Sequence, residues 1–257
     1  MQAQASEEPA PLGEMAAFEE GDFHALGESL GRDPQYNDRR LSTRRKLGAI
    51  AKAATAAIGA ATGGELELSQ RTSLHQPHAF NHMRVRRLWA YLCRGKPEKT
   101  RLKRVIGPEL AKDLDAAYRN AYLCVALEEE FLEVSLRVHK DAWYDGQNLL
   151  NRLKQEGTAT WIRLLNALPG YRLRMDDWKG EWVCGKLDRD RIEEYLRYYK
   201  PGDHSLTIEQ RIPAPRGARG PVLAPDVPAR LLAELVRLVP LYRHMVWSKE
   251  SDHLFTR

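Results

Sequence analysis

The chain has 257 residues, 43% of them apolar and 29% charged, with a net charge of +5. That is enough apolar material for a substantial core, and it excludes wholesale disorder. Cys93, Cys124 and Cys184 are odd in number and far apart, each inside an apolar stretch. They read as buried free thiols in a reducing, cytoplasmic compartment of bacterial type rather than as a disulfide framework.

Residues 1–10 are polar and acidic, unlike a secretory leader, and the alanine- and glycine-rich run 53–64 is too short and weak to cross a bilayer, so no membrane association is expected. The charge is unevenly spread: residues 1–38 sum to −8, residues 39–120 to +12 and residues 121–257 to +1. The pattern predicts an acidic, largely disordered tail over 1–37, a basic amphipathic helix or linker over 38–64, and a single compact α+β domain over 65–257.

Residues 1–14 read as disordered. Met15, Phe18, Phe23, Leu26 and Leu30 offer a weak helix, a loosely attached arm ahead of the domain. Leu47, Ile50, Ala54 and Ile58 recur at three- and four-residue steps, which predicts a helix over 38–61 ended by Gly63-Gly64. Residues 65–74 alternate like a half-wet strand. Residues 82–94 fit a strand or a helix, and aromatic content favours the strand; Arg84 and Arg86 then share a wet face, with Val85 and Trp89 on the core side. Arg87 falls on that core side and needs a bulge, a sheet edge or a buried acid. Pro108 opens a helix expected to run to about residue 120.

Two apolar runs, 121–127 and 131–139, joined by Glu128-Glu129-Glu130, predict a hairpin. Helices follow over 142–154 and 158–167, then a second hairpin, 171–175 with 181–184, and a helix capped by Asp188. Residues 206–212 add a strand, and a last helix from about 229 should kink or break at Pro240. The order hints at two strand–strand–helix units without residue-level identity. The fold expected is an antiparallel sheet built from hairpins, with helices packed on it.

The strongest functional signal is basic. Residues 82–104 hold nine cations and one acid, Glu98, with Trp89 and Tyr91 among them. Cations neutralise phosphates and aromatics stack bases. The candidate contacts are Arg44, Arg45, Lys46, Arg84, Arg86, Arg87, Arg94, Lys96, Lys99, Arg101, Lys103 and Arg104. Positive charge near the start of the 38–61 helix opposes its dipole, and an anionic partner would relieve this; the acidic tail could fold back and compete with such a polyanion, or serve only as a solubilising leader. A solvated basic face with Trp89 and Tyr91 in the core is the plainer alternative. His75, His78 and His82 have a spacing that could share a metal ion. Glu133, Asp141 and Asp145, with Asp176, Asp177 and Lys179 nearby, could hold a divalent cation for phosphodiester hydrolysis, although Asp141 also suits a helix cap. No nucleotide-binding, zinc-protease or serine-hydrolase motif occurs, and no cofactor is implied. The reading is a non-catalytic accessory protein that binds nucleic acid or another polyanion. The alternatives are an adaptor docking a protein partner through its N-terminal arm, and a metal-dependent nuclease.

Overall fold

A computed structural model describes residues 15–255 other than 177, 179 and 181. The tail expected over 1–14, and Asp177 and Lys179, lie outside the described residues. Strands β1 (Leu68–Thr72), β2 (Arg87–Arg94), β3 (Ala121–Glu128), β4 (Phe131–Val138), β5 (Arg172–Met175), β6 (Trp182–Val183) and β7 (Leu206–Pro213) form one sheet in the order β1-β2-β3-β4-β7-β5-β6. Every neighbouring pair is antiparallel. The helices are α1 (Glu20–His24), α2 (Asn37–Ala61), α3 (Lys96–Ile106), α4 (Trp143–Glu156), α5 (Ala159–Asn166), α6 (Arg189–Tyr198), α7 (Val227–Arg237) and α8 (Val239–Met245). The α+β class and the hairpin-built sheet follow from the sequence pattern.

One sheet face makes the core. Leu88, Ala90 and Leu92 of β2, alternate residues of β3 from Ala121 to Leu127, and Leu132, Val134, Leu136 and Val138 of β4 pack with Leu47, Ile50, Ala54 and Ile58 of α2 and Leu231 and Leu235 of α7. Each such aliphatic chain contributes about 1.5–3 kcal/mol by leaving water. Asp188 caps α6 as expected, accepting from the Arg191 N–H at 2.8 Å. Pro240 sits in the first turn of α8 and separates it from α7. Gly146 lies inside α4 because a Cβ there would stand 2.5 Å from the Tyr199 hydroxyl.

Three expectations change. First, the helix expected from Pro108 is absent: turns occupy residues 108–116, and α3 lies earlier, with Pro97 in its first turn and Gly107 (φ 85°) just past its end. Pro97 and Pro108 give the same N-terminal signal; Leu102 and Ile106 bury on a small second cluster, whereas Leu110 is exposed. Second, the faces of β2 are the reverse of the expectation. The strand begins at Arg87, and Trp89 and Tyr91 share Arg87's face, opposite the helices. Third, the main core takes in residues well ahead of 65. Phe18, Phe23 and Leu26 bury in the main core. Arg40, fully buried, donates to the carbonyls of Ala25, Leu30, Asp33 and His75 at 2.7–3.2 Å.

Among the described residues no helix is long and apolar enough to cross a membrane. Cys93, Cys124 and Cys184 are free and buried.

Candidate functional site

On the sheet face opposite the helices, cross-strand pairing brings Arg71 beside Tyr91, Arg87 beside Glu128, Tyr122 beside Arg137 and Glu133 beside Arg211. None of the residues that β2, β3 and β4 place on this face belongs to a hydrophobic cluster.

Glu133 organises the centre. Fully buried, it accepts from Arg87 at 3.0 and 3.1 Å, from Arg137 at 2.7 and 3.1 Å and from the Ser135 hydroxyl at 2.6 Å. Burial alone would raise its pKa; the two guanidiniums reverse that and hold it at about 2. This is the buried acid that Arg87 required. Arg87 also pairs with Glu128 at 2.6 Å. Burial opposes the charge on Arg87, and Glu133 more than restores it, so its pKa lies above the ordinary value. A second carboxylate, Glu209, takes Arg211, Arg174 and Arg137 at 2.9–3.4 Å.

Beside this network Trp89 and Tyr91 pack with ring centroids 5.0 Å apart, and Tyr91 meets Tyr122 edge-on at 5.7 Å. Arg87, Trp89, Tyr91, Tyr122, Cys124 and Arg137 line a shallow cavity of about 190 Å³. Trp89 and Tyr122 are half-buried, so part of each ring faces solvent. Burial raises the Cys124 thiol above its ordinary pKa, which keeps it protonated and unreactive.

The predicted basic residues separate into groups. Lys96, Arg101, Lys103 and Arg104 are exposed on α3, and Lys99 pairs with Asp115 at 3.2 Å. Arg45 and Arg86 are exposed. Lys46 pairs with Asp22 at 2.7 Å, Arg84 with Glu28 at 3.4 Å, and Arg44 donates to the Thr72 hydroxyl at 2.7 Å. Near the start of α2 the anions are internal rather than a partner's: Asp22 and Glu19 of the arm take Arg39 and Lys46. Arg94 never reaches solvent. It is buried and ion-paired with Asp145, so it leaves the phosphate-contact set.

Among the described residues no three His, Cys, Asp or Glu side chains are placed to share an ion. His75 lies against the Arg44 guanidinium at 3.2 Å, and burial and that cation lower its pKa. His78 stacks on Phe80, and His82 ends a short turn in left-handed backbone. Glu133, Asp141 and Asp145 are likewise not gathered. Glu133 belongs to the sheet face, and Asp145 binds Arg94 and the backbone amides of Ala121 and Trp247. Asp141 is not a side-chain cap; it stands 3.5 Å from His139.

No protein-family model matches this chain and no curated protein is detectably similar to it.

Proposed function

We propose that the protein is a non-catalytic binder of single-stranded nucleic acid, held across the polar sheet face and along α3. The observation that carries this reading is the pair of half-exposed rings, Trp89 and Tyr122, set among Arg71, Arg87 and Arg137 on that face. Bases stack on aromatic rings whatever their sequence, and guanidiniums beside the rings meet the phosphates. Lys96, Lys103 and Arg104 on α3 supply further cations next in sequence to β2. The three buried free thiols suit a reducing cytoplasm.

The test is fluorescence anisotropy of a labelled 12-nucleotide strand and of its duplex across a salt series. Binding should favour the single strand and weaken as salt rises. Trp89→Ala should cost about 1–3 kcal/mol, one stacked base. Lys103→Gln with Arg104→Gln should flatten the log–log salt slope by about 1.4, at roughly 0.7 per single-strand phosphate contact. Absence of salt-dependent binding refutes the reading and favours a protein-docking role. The arm is not the obvious surface for that role, since Phe18, Phe23 and Leu26 face inward; Leu74, Phe80 and Met83 are the exposed apolar residues near β2.

A further inference from the structure

The sheet ends at β1, and the outer edge of that strand has no partner. The Ser73 N–H donates to the Trp89 carbonyl and the Gly95 N–H to the Glu67 carbonyl, both at 2.9 Å, which fixes the phase of the β1–β2 ladder. Opposed residues in an antiparallel pair alternate between bonded and unbonded, so Glu67, Ser69, Arg71 and Ser73 turn their N–H and C=O groups toward β2. Leu68, Gln70 and Thr72 turn theirs away. Among the described residues no protein group hydrogen-bonds to those outward N–H and C=O groups. The other end of the sheet is β6, which has only two residues and offers little to pair with. β1 has no proline, and no bulge interrupts its register with β2, so nothing blunts it as natural edges are usually blunted.

The side chains along this edge select its occupant. Glu67 and Arg71 share the polar face of the sheet; both are exposed, and neither is ion-paired among the described residues. Four residues apart on a strand, they stand about 13 Å from one another, too far to pair within the chain. An incoming strand satisfies both if it sets an acid opposite Arg71 and a base opposite Glu67. A second copy of β1 does so. Laid antiparallel about a two-fold axis at Ser69, it puts its own Glu67 opposite Arg71 and its own Arg71 opposite Glu67, with Cβ atoms about 4.5–5.5 Å apart. In that register Leu68 of each copy exchanges both backbone hydrogen bonds with Gln70 of the other, which uses the groups left outward. Just past the strand, the exposed Leu74 comes diagonal to the second copy's half-buried Leu66 on the opposite face. The edge is thus complementary to itself, as a two-fold interface requires.

We propose that the protein forms a two-fold dimer by antiparallel pairing of β1 with β1, in the register centred on Ser69, so that two seven-stranded sheets join into one. Opposed residues share a face, so the polar surfaces of the two copies lie on the same side and run together. The dimer does not depend on the nucleic-acid reading, and its test contains no nucleic acid.

Sedimentation equilibrium of the full-length protein, freed of nucleic acid, should show a monomer–dimer equilibrium between micromolar and millimolar concentration. Gln70→Pro removes an N–H that β2 does not use, so the β1–β2 ladder keeps its bonds. The dimer loses one bond from each copy, and its Kd should rise about thirtyfold. Arg71→Glu sets carboxylate against carboxylate and should also drive the protein to monomer. Glu67→Arg combined with Arg71→Glu restores opposite charges in the same register and should restore the dimer. Circular dichroism shows whether each variant is folded; if Gln70→Pro is not, the two charge variants, which change only exposed side chains, carry the test. A protein that stays monomeric to millimolar concentration overturns the proposal, as does a dimer whose Kd is unchanged by Gln70→Pro or by Arg71→Glu. A double reversal no better associated than Arg71→Glu alone overturns the register, and the proposal with it.

Discussion

Asp145→Leu is the most exacting test of how the interior is held together. The Asp145 carboxylate is fully buried and takes three donors: Arg94 Nη2, the Ala121 amide at 2.8 Å and the Trp247 amide at 3.0 Å. It therefore ties the end of β2 to the start of β3 and to the segment after α8. Leucine leaves Arg94 charged and unpaired inside the protein, which costs about 3–5 kcal/mol. It also orphans two amides at about 1–3 kcal/mol each. These losses share one site and do not add in full, so about 5 kcal/mol is expected. With about 2–4 °C per kcal/mol for a domain of this size, the melting temperature should fall by roughly 10–20 °C. Arg94→Met with Asp145→Leu removes the stranded charge but not the stranded amides. The double variant should therefore be more stable than Asp145→Leu alone, though still about 2–4 kcal/mol below the parent. Urea unfolding followed by circular dichroism gives both differences, provided the denaturant slope is unchanged. A cost below about 1 kcal/mol for Asp145→Leu, or a double variant as unstable as the two single losses summed, would refute the reasoning.

Acid stability should show two windows. His244 and Glu133 both have folded pKa values below their ordinary ones, so each contributes stability at higher pH that is lost on acidification. The His244 share declines from about pH 6.5 to 4 and the Glu133 share from about 4.5 to 2; His244→Gln should flatten only the upper window in a series of urea midpoints against pH. Arg40→Met strips the carbonyls of Ala25, Leu30, Asp33 and His75 of their shared donor and should release the arm. Limited proteolysis should then cut between residues 25 and 36 many times faster than in the parent, and equal cutting rates would show that Phe18 and Phe23 hold the arm without it.

What the sequence disclosed depended on whether a signal was local. The β3–β4 hairpin announces itself through two apolar runs around three glutamates, and Asp188 marks the start of α6 through its own side chain. The position of α3 did not show, because Leu102 and Ile106 are too few to set a period among cations, and two prolines offered the same start signal. In β2 the run Leu88-Trp89-Ala90-Tyr91-Leu92-Cys93 is apolar on both faces, so periodicity cannot say which face meets the helices. Packing decides: the aliphatic residues and alanine admit α2 closely, and the rings go to the face where Arg87 and Glu133 already require polar surroundings. The site residues follow the same logic. Exposed lysines and arginines of α3 are legible as a charge run, whereas Arg94, within the same run, is diverted inward by an aspartate 51 residues away. A cavity beside it combines residues from 65 to 251, a grouping that exists only once the chain has folded. A charge count along the sequence therefore locates a basic surface, but it cannot separate cations that face solvent from one that is buried in an ion pair.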